Sequence, residues 1–256
     1  MGSCSIGRSA TCIRGTEMAI TSCGWNCIKL AVISPFYSSL TFIFCSDASV
    51  YDWYQAYGDL RHLLTVEILE RPFSGITRLQ DLRSKDLQLL DTNTSAFPSR
   101  ESCRVLILGC GNSSFGEDMM SDRWTGEIVN IDFSSVVINQ MVKKQEKKLE
   151  GDDKQSKMEF VCADITNGLP FGDGSFDLII CKGIFDAILC SNGSNIKRLV
   201  AECDRVLAPA HGCLFVVTHG TPDNRVVFLE HCNDPTYYWD GICIDTIPKR
   251  NKTTSQ

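Results

Sequence analysis

Residues 104–114 read RVLILGCGNSS, and one predicted helix later residues 128–134 read IVNIDFS. Each stretch opens with a short, continuous apolar run, which is typical of a strand buried on both faces of a parallel sheet. Gly109 and Gly111 stand where the first strand turns into a helix, and glycine there lets the backbone pass close to a ligand. Asp132 ends the second strand, where doubly wound folds place an acid that binds the ribose hydroxyls of an adenosine ligand.

Further apolar runs indicate that strands and helices alternate along the rest of the chain. This alternation predicts an α/β fold, namely a Rossmann-like, doubly wound and mostly parallel sheet in which a seventh strand after residue 247 is missing. The missing strand is expected to leave a hydrogen-bonding edge exposed. The predicted strands are Arg104–Leu108, Ile128–Asp132, Met158–Cys162, Phe176–Cys181, Cys213–Thr218 and Tyr238–Ile247.

The N-terminal part of the chain differs from the rest in composition. It is rich in Ser, Thr and Cys, and we expect it to be disordered or to derive from an incorrectly predicted coding sequence. Apolar residues then recur at helical spacing between Val50 and Leu64, and more weakly between Leu79 and Leu90. The expected division is an atypical segment at 1–49, a helical segment and linker at 50–102, the α/β domain at 103–247 and a polar tail at 248–256.

Composition and charge exclude several classes of function. The 256 residues include 25 Lys and Arg against 31 Asp and Glu, a formal net charge of -6. Because no basic excess exists to hold a phosphate backbone, we expect no nucleic-acid partner. The apolar stretch Leu30–Cys45 is shorter than a spanning helix and is interrupted by Pro35, so we expect no membrane association.

The cysteines and histidines argue against a metal site. The chain has 14 Cys and 4 His, but they are scattered and no CxxC pair occurs. Zinc sites usually contain closely spaced ligand pairs, so we expect no metal and interpret the thiols as reduced and mostly buried. Reduced thiols favour the cytoplasm. The mitochondrion is the alternative, because the Ser-rich, acid-poor N-terminus partly matches a transit peptide although it is not rich in Arg.

The glycine pair also begins the GxGxxG pattern of dinucleotide-binding folds. Ser114 stands where the third glycine of that pattern is expected. This weakens the interpretation of the chain as a nicotinamide dehydrogenase, and a GxG pair alone is a weak signal.

Four stretches decide between these interpretations. GCGNSS, VNIDFS, CADITNGLPFGDGSFDLIICKGIFDAIL and RVLAPAHG occur in the order and spacing of class I S-adenosylmethionine-dependent methyltransferases, which the chain resembles. More narrowly, VLILGCGNS, the IDFS stretch, Lys182–Ala187 (KGIFDA) and the upstream VYDWYQAYGDL resemble the methyltransferase-like family that includes the lysine methyltransferases of elongation factor 1-alpha. The resemblance covers residues 50 to 247 and identifies 103–247 as the methyltransferase domain.

This resemblance implies a binding site for S-adenosylmethionine. The loop after the first strand would lie against the methionine part, the acid after the second strand would hold the ribose, and the acid after the third strand would bind the adenine amino group. The residues implied are Gly109, Gly111 and Asn112 for the methionine part, Asp132 for the ribose, Phe133, Asp164 and Ile165 for the adenine, and Lys182 and Gly183 at the border with the substrate entrance.

The resemblance also implies the reaction, which is methyl transfer to a protein lysine, with a translation elongation factor as one possible substrate. No catalytic base can be assigned: Asp177 is interpreted as structural, Asp186 can face either way, and His219 is a candidate for substrate contact. Relatives carry an acid directly before KGxxDA where this chain has Cys181. A small-molecule methyltransferase and a non-catalytic, partner-binding relative of the fold therefore remain alternatives.

Overall fold

The computed structural model describes eight segments of the chain. The weaker predicted helix at 79–90, the tail at 248–256 and the residues of the first predicted helix before Tyr54 lie outside them. The segments are 10–13, 27–33, 54–65, 97–149, 158–191, 193–209, 211–229 and 241–247.

Strands and helices alternate through the described domain, as the apolar pattern predicts. The strands are β1 (Ala10–Ile13), β2 (Cys27–Ile33), β3 (Val105–Leu108), β4 (Ile128–Asp132), β5 (Glu159–Cys162), β6 (Leu178–Lys182), β7 (Cys213–Thr218) and β8 (Gly241–Ile247). The helices are α1 (Tyr57–Leu64), α2 (Phe115–Ser121), α3 (Ser135–Leu149), α4 (Ile184–Ser191), α5 (Ser194–Val206) and α6 (Asp223–Leu229).

The strands form one sheet in the order β1-β8-β2-β7-β6-β3-β4-β5. Every strand pair in it is parallel. From β3 the chain builds outward through β4 to β5, and then it returns to the other side of β3 to add β6 and β7. The reversal lies between β3 and β6, and it confirms the predicted Rossmann-like, doubly wound fold.

Both faces of the sheet are buried, as its continuous apolar strands require. Leu106 and Leu108 pack into one hydrophobic core, together with α5. Val105 and Ile107 pack into a second core, together with α1 and the buried ring of Trp124. Successive residues of a strand point to opposite faces, so the VLIL run supplies apolar side chains to both layers.

The N-terminal segment contributes strands to this sheet, which corrects the expectation that it is disordered at 10–13 and 27–33. β2 lies between β7 and β8, with Cys27 opposite Cys213 on one side and Gly241 on the other. No antiparallel strand follows β8 among the described residues. The place beside β7 is nevertheless filled, because β2 pairs with β7 on one side and with β8 on the other, and so β7 has no exposed edge.

Helix α1 is attached to the domain through its aromatic and basic side chains. The Tyr57 hydroxyl donates to the Asp122 carboxylate at 2.6 Å and accepts from the indole N–H of Trp124 at 3.0 Å. Arg61 donates to both carboxylate oxygens of Asp122 at 2.9 and 2.7 Å. These contacts hold α1 against the C-terminal end of α2 and the residues that follow it.

Asp177 has the structural role that its place inside an apolar run indicates. Its buried carboxylate accepts from the backbone N–H and the guanidinium of Arg104, and it lies 2.9 Å from Nε2 of His211. Burial alone would raise the pKa of Asp177, but the hydrogen bonds from Arg104 and His211 outweigh it, so the pKa is lowered. The cluster joins the start of β3 to β6 at the amino-terminal edge of the sheet.

Candidate functional site

The parallel register brings the predicted site residues to one edge of the sheet. Leu108 lies opposite Ile131 of β4 and Cys181 of β6, and Asp132 lies opposite Cys162 of β5. The residues that directly follow these strands therefore meet at the carboxyl edge. That edge, at the point where the strand order reverses, is where ligands bind in open α/β sheets.

The loop after β3 turns on glycines with positive φ. Gly109 has a φ of 59° and Gly111 a φ of 54°, which residues with a side chain rarely adopt. A Cβ on Gly109 would collide with the Ile184 side chain, 2.7 Å from its Cγ1 atom. A Cβ on Gly111 would meet no atom within 4 Å. The backbone at Gly111 therefore faces open space, into which a ligand can approach closely.

Asp132 is held at the same place by backbone donors. Its carboxylate accepts from the N–H of Gly111 at 3.0 Å and from the N–H of Ser134 at 2.9 Å. Its carbonyl oxygen accepts from the N–H of Ala163 at 3.0 Å, which ties in the residue before Asp164. A carboxylate has about four acceptor positions, so Asp132 keeps capacity to bind hydroxyl groups.

Phe133 follows Asp132 with its ring turned to solvent. The residue is 74% exposed, which is unusual for a side chain of this size. The thiol of Cys162, at the end of β5, donates to the Phe133 carbonyl oxygen at 3.7 Å. The exposed ring offers a flat apolar surface beside the carboxylate. Asn112, in the loop after β3, is partly exposed at this edge.

Asp164 and Ile165 follow β5, where Asp164 caps a short 3₁₀ helix at Ile165–Asn167. One Asp164 oxygen accepts from the N–H and the hydroxyl of Thr166 at 2.9 and 2.7 Å, and the other accepts from the Asn167 amide at 2.9 Å. The hydrogen bonds from Thr166 lower the pKa of Asp164. These contacts use three acceptor positions, and one is left for a further donor.

Lys182 is the last residue of β6 and Gly183 follows it, on the other side of the reversal point. The Lys182 ammonium lies 5.6 Å from the ring centroid of Phe115, at the start of α2. The Gly183 N–H donates to the Val217 carbonyl oxygen at 2.9 Å. The sequence-predicted residues therefore lie along one edge, from the end of β5 across to the boundary of β6 and β7.

Beside them lies a polar cluster around Asp186, whose hydrogen-bond partners the sequence does not identify. Asp186, on the first turn of α4, is only 5% exposed and accepts hydrogen bonds from separate parts of the chain. The donors are the Tyr54 hydroxyl at 3.1 Å, the Thr218 hydroxyl at 2.8 Å, the His219 backbone N–H at 3.0 Å and the Arg225 guanidinium at 2.6 Å. The side chain faces inward, which decides between the two orientations that the sequence leaves open.

The same cluster contains two rings. The Tyr54 and His219 rings are stacked, with centroids 5.9 Å apart and planes at 23°. Burial, together with the nearby Asp186 carboxylate, raises the pKa of Tyr54 far above its usual range, so its hydroxyl stays protonated. Two features of the sequence could have indicated this cluster. Asp186 stands four residues after Lys182, and His219 directly follows β7.

Cys181 does not take part in the surface of this site. Its side chain is 0% exposed and belongs to the core that includes α5. Burial raises the pKa of the Cys181 thiol far above its usual range. Cys181 therefore places neither a charge nor a reactive thiolate at the entrance of the site.

A cleft of about 570 Å³ lies at the opposite edge of the sheet. Arg104, Glu127 and Glu159, which stand at the starts of strands, line it together with apolar residues of the loop before β6. The cleft is distant from the carboxyl edge, and its Arg104 side chain is engaged by Asp177. We therefore assign the site to the carboxyl edge.

No helix in the described segments is both long and apolar enough to cross a membrane. No group of three or more His, Cys, Asp or Glu side chains within those segments is arranged to hold a metal ion.

Comparison with known proteins agrees with this geometry. Residues 106–215 match the family model of a methyltransferase domain. The human eEF1A lysine and N-terminal methyltransferase is 37% identical over 108 residues, which are 41% of this chain and 14% of that protein. The human mitochondrial citrate synthase-lysine N-methyltransferase is 29% identical over 237 residues, which are 88% of this chain and 91% of that protein.

A SAM-dependent methyltransferase from Methanosarcina mazei is similar in structure, with a TM-score of 0.42, 20% sequence identity and coverage of 58% of this chain and 63% of that chain. The match to a methyltransferase domain over 106–215 includes the reversal point of the sheet and the carboxyl-edge residues. The chain is similar to protein lysine methyltransferases, although it spans only 14% of the length of the eEF1A relatives it matches.

The residues at the carboxyl edge fit S-adenosylmethionine, the cofactor that the match to a methyltransferase domain implies. The open space in front of Gly111 leaves room for a chain of atoms against the backbone. Asp132 has free acceptor capacity for hydroxyls, and the exposed Phe133 ring beside it has the shape to stack on a purine. Asp164 keeps one acceptor position for an amino group.

Proposed function

We propose that the protein transfers a methyl group from S-adenosylmethionine to the side-chain amine of a lysine in another protein. The observation that carries the proposal is the convergence of the residues after β3, β4, β5 and β6 at one edge of a methyltransferase domain. The lysine acceptor is supported by the relatives, which are named as lysine methyltransferases of eEF1A and of citrate synthase.

In this proposal the chain binds the cofactor through a set of small and polar groups. Gly109, Gly111 and Asn112 hold the methionine part, and Asp132 accepts hydrogen bonds from the ribose. Phe133 and Ile165 would hold the adenine, and Asp164 would accept a hydrogen bond from its amino group. Lys182 and Gly183 border the sulfur and the entrance for the acceptor.

The chain's contribution to the transfer is chiefly positioning. When bound, the cofactor supplies a methyl group already activated by its sulfonium, so the protein has to hold the acceptor nitrogen in line with it. The nitrogen has to be neutral, and the pKa of a free lysine is about 10.4. An entrance walled by apolar and charge-compensated groups favours the neutral amine, because desolvation lowers the pKa of a lysine.

The two candidate protein substrates correspond to two different cellular locations of the enzyme. A translation factor as substrate goes with the expected cytoplasmic location. Citrate synthase as substrate goes with the mitochondrial alternative, since the similar human enzyme that acts on it is mitochondrial. The two locations are separated by fractionating cells that express the full chain with a C-terminal tag.

The test is incubation of the purified full chain with methyl-labelled S-adenosylmethionine and, separately, eEF1A and citrate synthase. We expect label on a lysine of at least one of them, located by mass spectrometry. Cofactor binding without transfer to any protein would overturn the lysine proposal, and transfer to small molecules in a metabolite extract would then favour a small-molecule methyltransferase. No heat of cofactor binding would favour the non-catalytic, partner-binding alternative.

A matched pair of variants tests whether methyl transfer depends on the site at the carboxyl edge. Asp132→Asn removes a carboxylate charge at the carboxyl edge, and Asp173→Asn removes one from an exposed side chain at the opposite edge. We expect Asp132→Asn to weaken cofactor binding by about tenfold or more, the worth of a hydrogen bond to a charged group. Asp173→Asn is expected to bind and transfer like the unaltered chain.

A further inference from the structure

We propose that Tyr54 and His219 form the wall of the acceptor side of this site, and that Asp186 positions both rings against the lysine side chain. This inference rests on the proposed function, because it assigns the residues that hold the lysine. Its basis is the hydrogen-bonded cluster around Asp186.

The location of the cluster follows from the strand order. Most of the candidate cofactor residues follow β3, β4 and β5, and only Lys182 and Gly183 lie across the reversal point, at the end of β6. The acceptor has to approach the methyl group from the other side, over the ends of β6 and β7. His219 directly follows β7, and the N–H of Gly183 at the end of β6 bonds to Val217 two residues before it. Tyr54 reaches the same place from the segment before α1.

Tyr54 is held there in an unusual backbone conformation. Its φ is 67°, in the left-handed region that favours glycine. A residue with a bulky side chain stays in that region only where its surroundings fix it, and such residues cluster at functional sites. The hydroxyl bond to Asp186 at 3.1 Å and the stacking on His219 are the contacts that fix it here.

Asp186 holds the cluster together by accepting hydrogen bonds, and it does not act as a general base. Each of its carboxylate oxygens receives two donors, from Thr218 and Arg225 on one and from Tyr54 and His219 on the other. The Arg225 guanidinium, 2.6 Å away, offsets its charge. With its acceptor positions filled, Asp186 is a positioning residue whose effect on the substrate passes through the two rings.

The wall that results suits an alkyl amine. Flat aromatic faces pack well against the methylene stem of a lysine. Because Arg225 compensates the Asp186 charge, the wall offers no unpaired carboxylate to the ammonium form, which cannot accept a methyl group. The cluster therefore has the chemistry to hold a lysine stem and leave its nitrogen neutral.

The experiment measures occupancy of the acceptor side separately from cofactor binding. The probe is an S-adenosylmethionine analogue in which nitrogen replaces the sulfur and carries an aminobutyl arm, a mimic of the lysine side chain. The reference compound carries a methyl group in place of the arm. The ratio of their dissociation constants, measured by calorimetry on the full chain, is the gain that the arm provides.

We expect the arm to improve binding by about tenfold or more in the unaltered chain, as buried methylenes and a hydrogen bond together allow. Tyr54→Phe keeps the ring but removes the bond to Asp186, and it should reduce that gain by about fivefold. The reference compound should bind as before. In transfer assays the same variant should raise KM for the lysine substrate more than it lowers kcat.

Tyr57→Phe is the matched control. It removes a hydroxyl three residues away that also donates to a carboxylate, but it bonds Asp122 beside α2 and lies outside the cluster. We expect it to lower the melting temperature and to leave the gain from the arm unchanged. His219→Gln is the second test variant, since it removes the ring and keeps the backbone N–H that bonds Asp186; it should reduce the gain as Tyr54→Phe does.

The outcomes separate this inference from the proposed function. If the unaltered chain gains from the arm and folded Tyr54→Phe or His219→Gln keeps the full gain, the acceptor wall is elsewhere and only the inference is overturned. If the unaltered chain binds the reference compound, gains nothing from the arm and methylates no lysine, the proposed function fails and the inference fails with it.

Discussion

The carboxylate of Asp132 accepts a hydrogen bond of 3.0 Å from the backbone N–H of Gly111, and this bond ties the end of β4 to the loop after β3. The loop is thereby fixed in the conformation that turns its backbone toward open space. The two residues are 21 positions apart in sequence, and the parallel pairing of β3 with β4 brings them together.

Gly111→Ala is the sharpest test of that open space. We expect the free energy of unfolding to fall by about 1 kcal/mol, because alanine is strained at positive φ. The new methyl group enters the space in front of the loop, so cofactor affinity should fall by about tenfold, equivalent to about 1.4 kcal/mol. Denaturant unfolding measures the first effect and calorimetry the second.

Gly109→Ala is the matched control, since its φ is nearly the same but its Cβ would collide with Ile184. It should lose more stability than Gly111→Ala, because overpacking adds about 1–3 kcal/mol to the backbone strain. A Gly111→Ala protein that binds S-adenosylmethionine as tightly as the unaltered chain would show that the ligand does not pass close to this backbone.

The cluster of Asp177, Arg104 and His211 predicts a pH-dependent stability. Because the folded-state pKa of Asp177 is lowered, its contribution is fully present above the unfolded pKa of about 3.9 and is lost as pH falls through the folded value. Asp177→Asn should therefore reduce the free energy of unfolding by about 3 kcal/mol at neutral pH, the typical loss when a buried pair is broken.

Urea unfolding of both proteins between pH 7 and pH 3 checks the sign, and the difference should shrink as the pH drops below about 4. Asp173→Asn is the control, because its exposed pair with Arg205 should contribute less than about 1 kcal/mol. A difference between Asp177→Asn and the unaltered chain that grows as the pH falls below about 4 would contradict the assignment.

The core of the fold could be predicted because its signals are local. The VLIL run of β3 and the IVNID run of β4 are recognisable without knowledge of their partners, and parallel strands bring their carboxyl ends to one edge. Once strand order is known, residues such as Asp132 and Asp164 must lie near each other. Their placement at that edge therefore follows from sequence and topology together.

The parts that sequence analysis missed depend on long-range contacts. β2 pairs with β7, which lies about 185 residues further along the sequence. No local feature of the CIKLAVI run indicates that β7 is its partner. The Asp186 cluster takes Tyr54 and Arg225 from either side of the domain. A carboxylate on the first turn of a helix gives no indication of such distant donors.

The pairing of β2 on both sides predicts how the sheet responds to proline. Ala31 lies opposite Val217 of β7 and Asp245 of β8, so Ala31→Pro removes a ladder hydrogen bond inside the sheet. We expect a loss of about 3 kcal/mol or more, because proline is tolerated only at edges and bulges. Thermal unfolding followed by circular dichroism measures the change.

Thr11→Pro in β1 is the comparison, because β1 is a four-residue strand at the end of the strand order and pairs only with β8. Its loss should be much smaller than that of Ala31→Pro. Equal effects of the two prolines, or none from either, would contradict the inner position of β2.

Alkylation of the thiols tests both the burial of the core and the position of the cofactor. Burial raises the pKa of Cys181 and Cys203 far above the usual range, so neither forms the reactive thiolate while the protein is folded. Cys162 and Cys190 are exposed and should react with iodoacetamide at least about tenfold faster at pH 8. Peptide mass spectrometry after timed quenching resolves each site.

S-adenosylmethionine should then slow the labelling of Cys162, because its thiol lies against the Phe133 carbonyl oxygen beside the proposed adenine position. Cys190, on the last turn of α4, serves as the internal reference in the same sample. Reaction of Cys181 at the rate of Cys162 would show that the core around β6 is open. Labelling of Cys162 that saturating cofactor leaves unchanged would move the adenine away from Phe133, since a ring stacked there restricts access to the neighbouring sulfur.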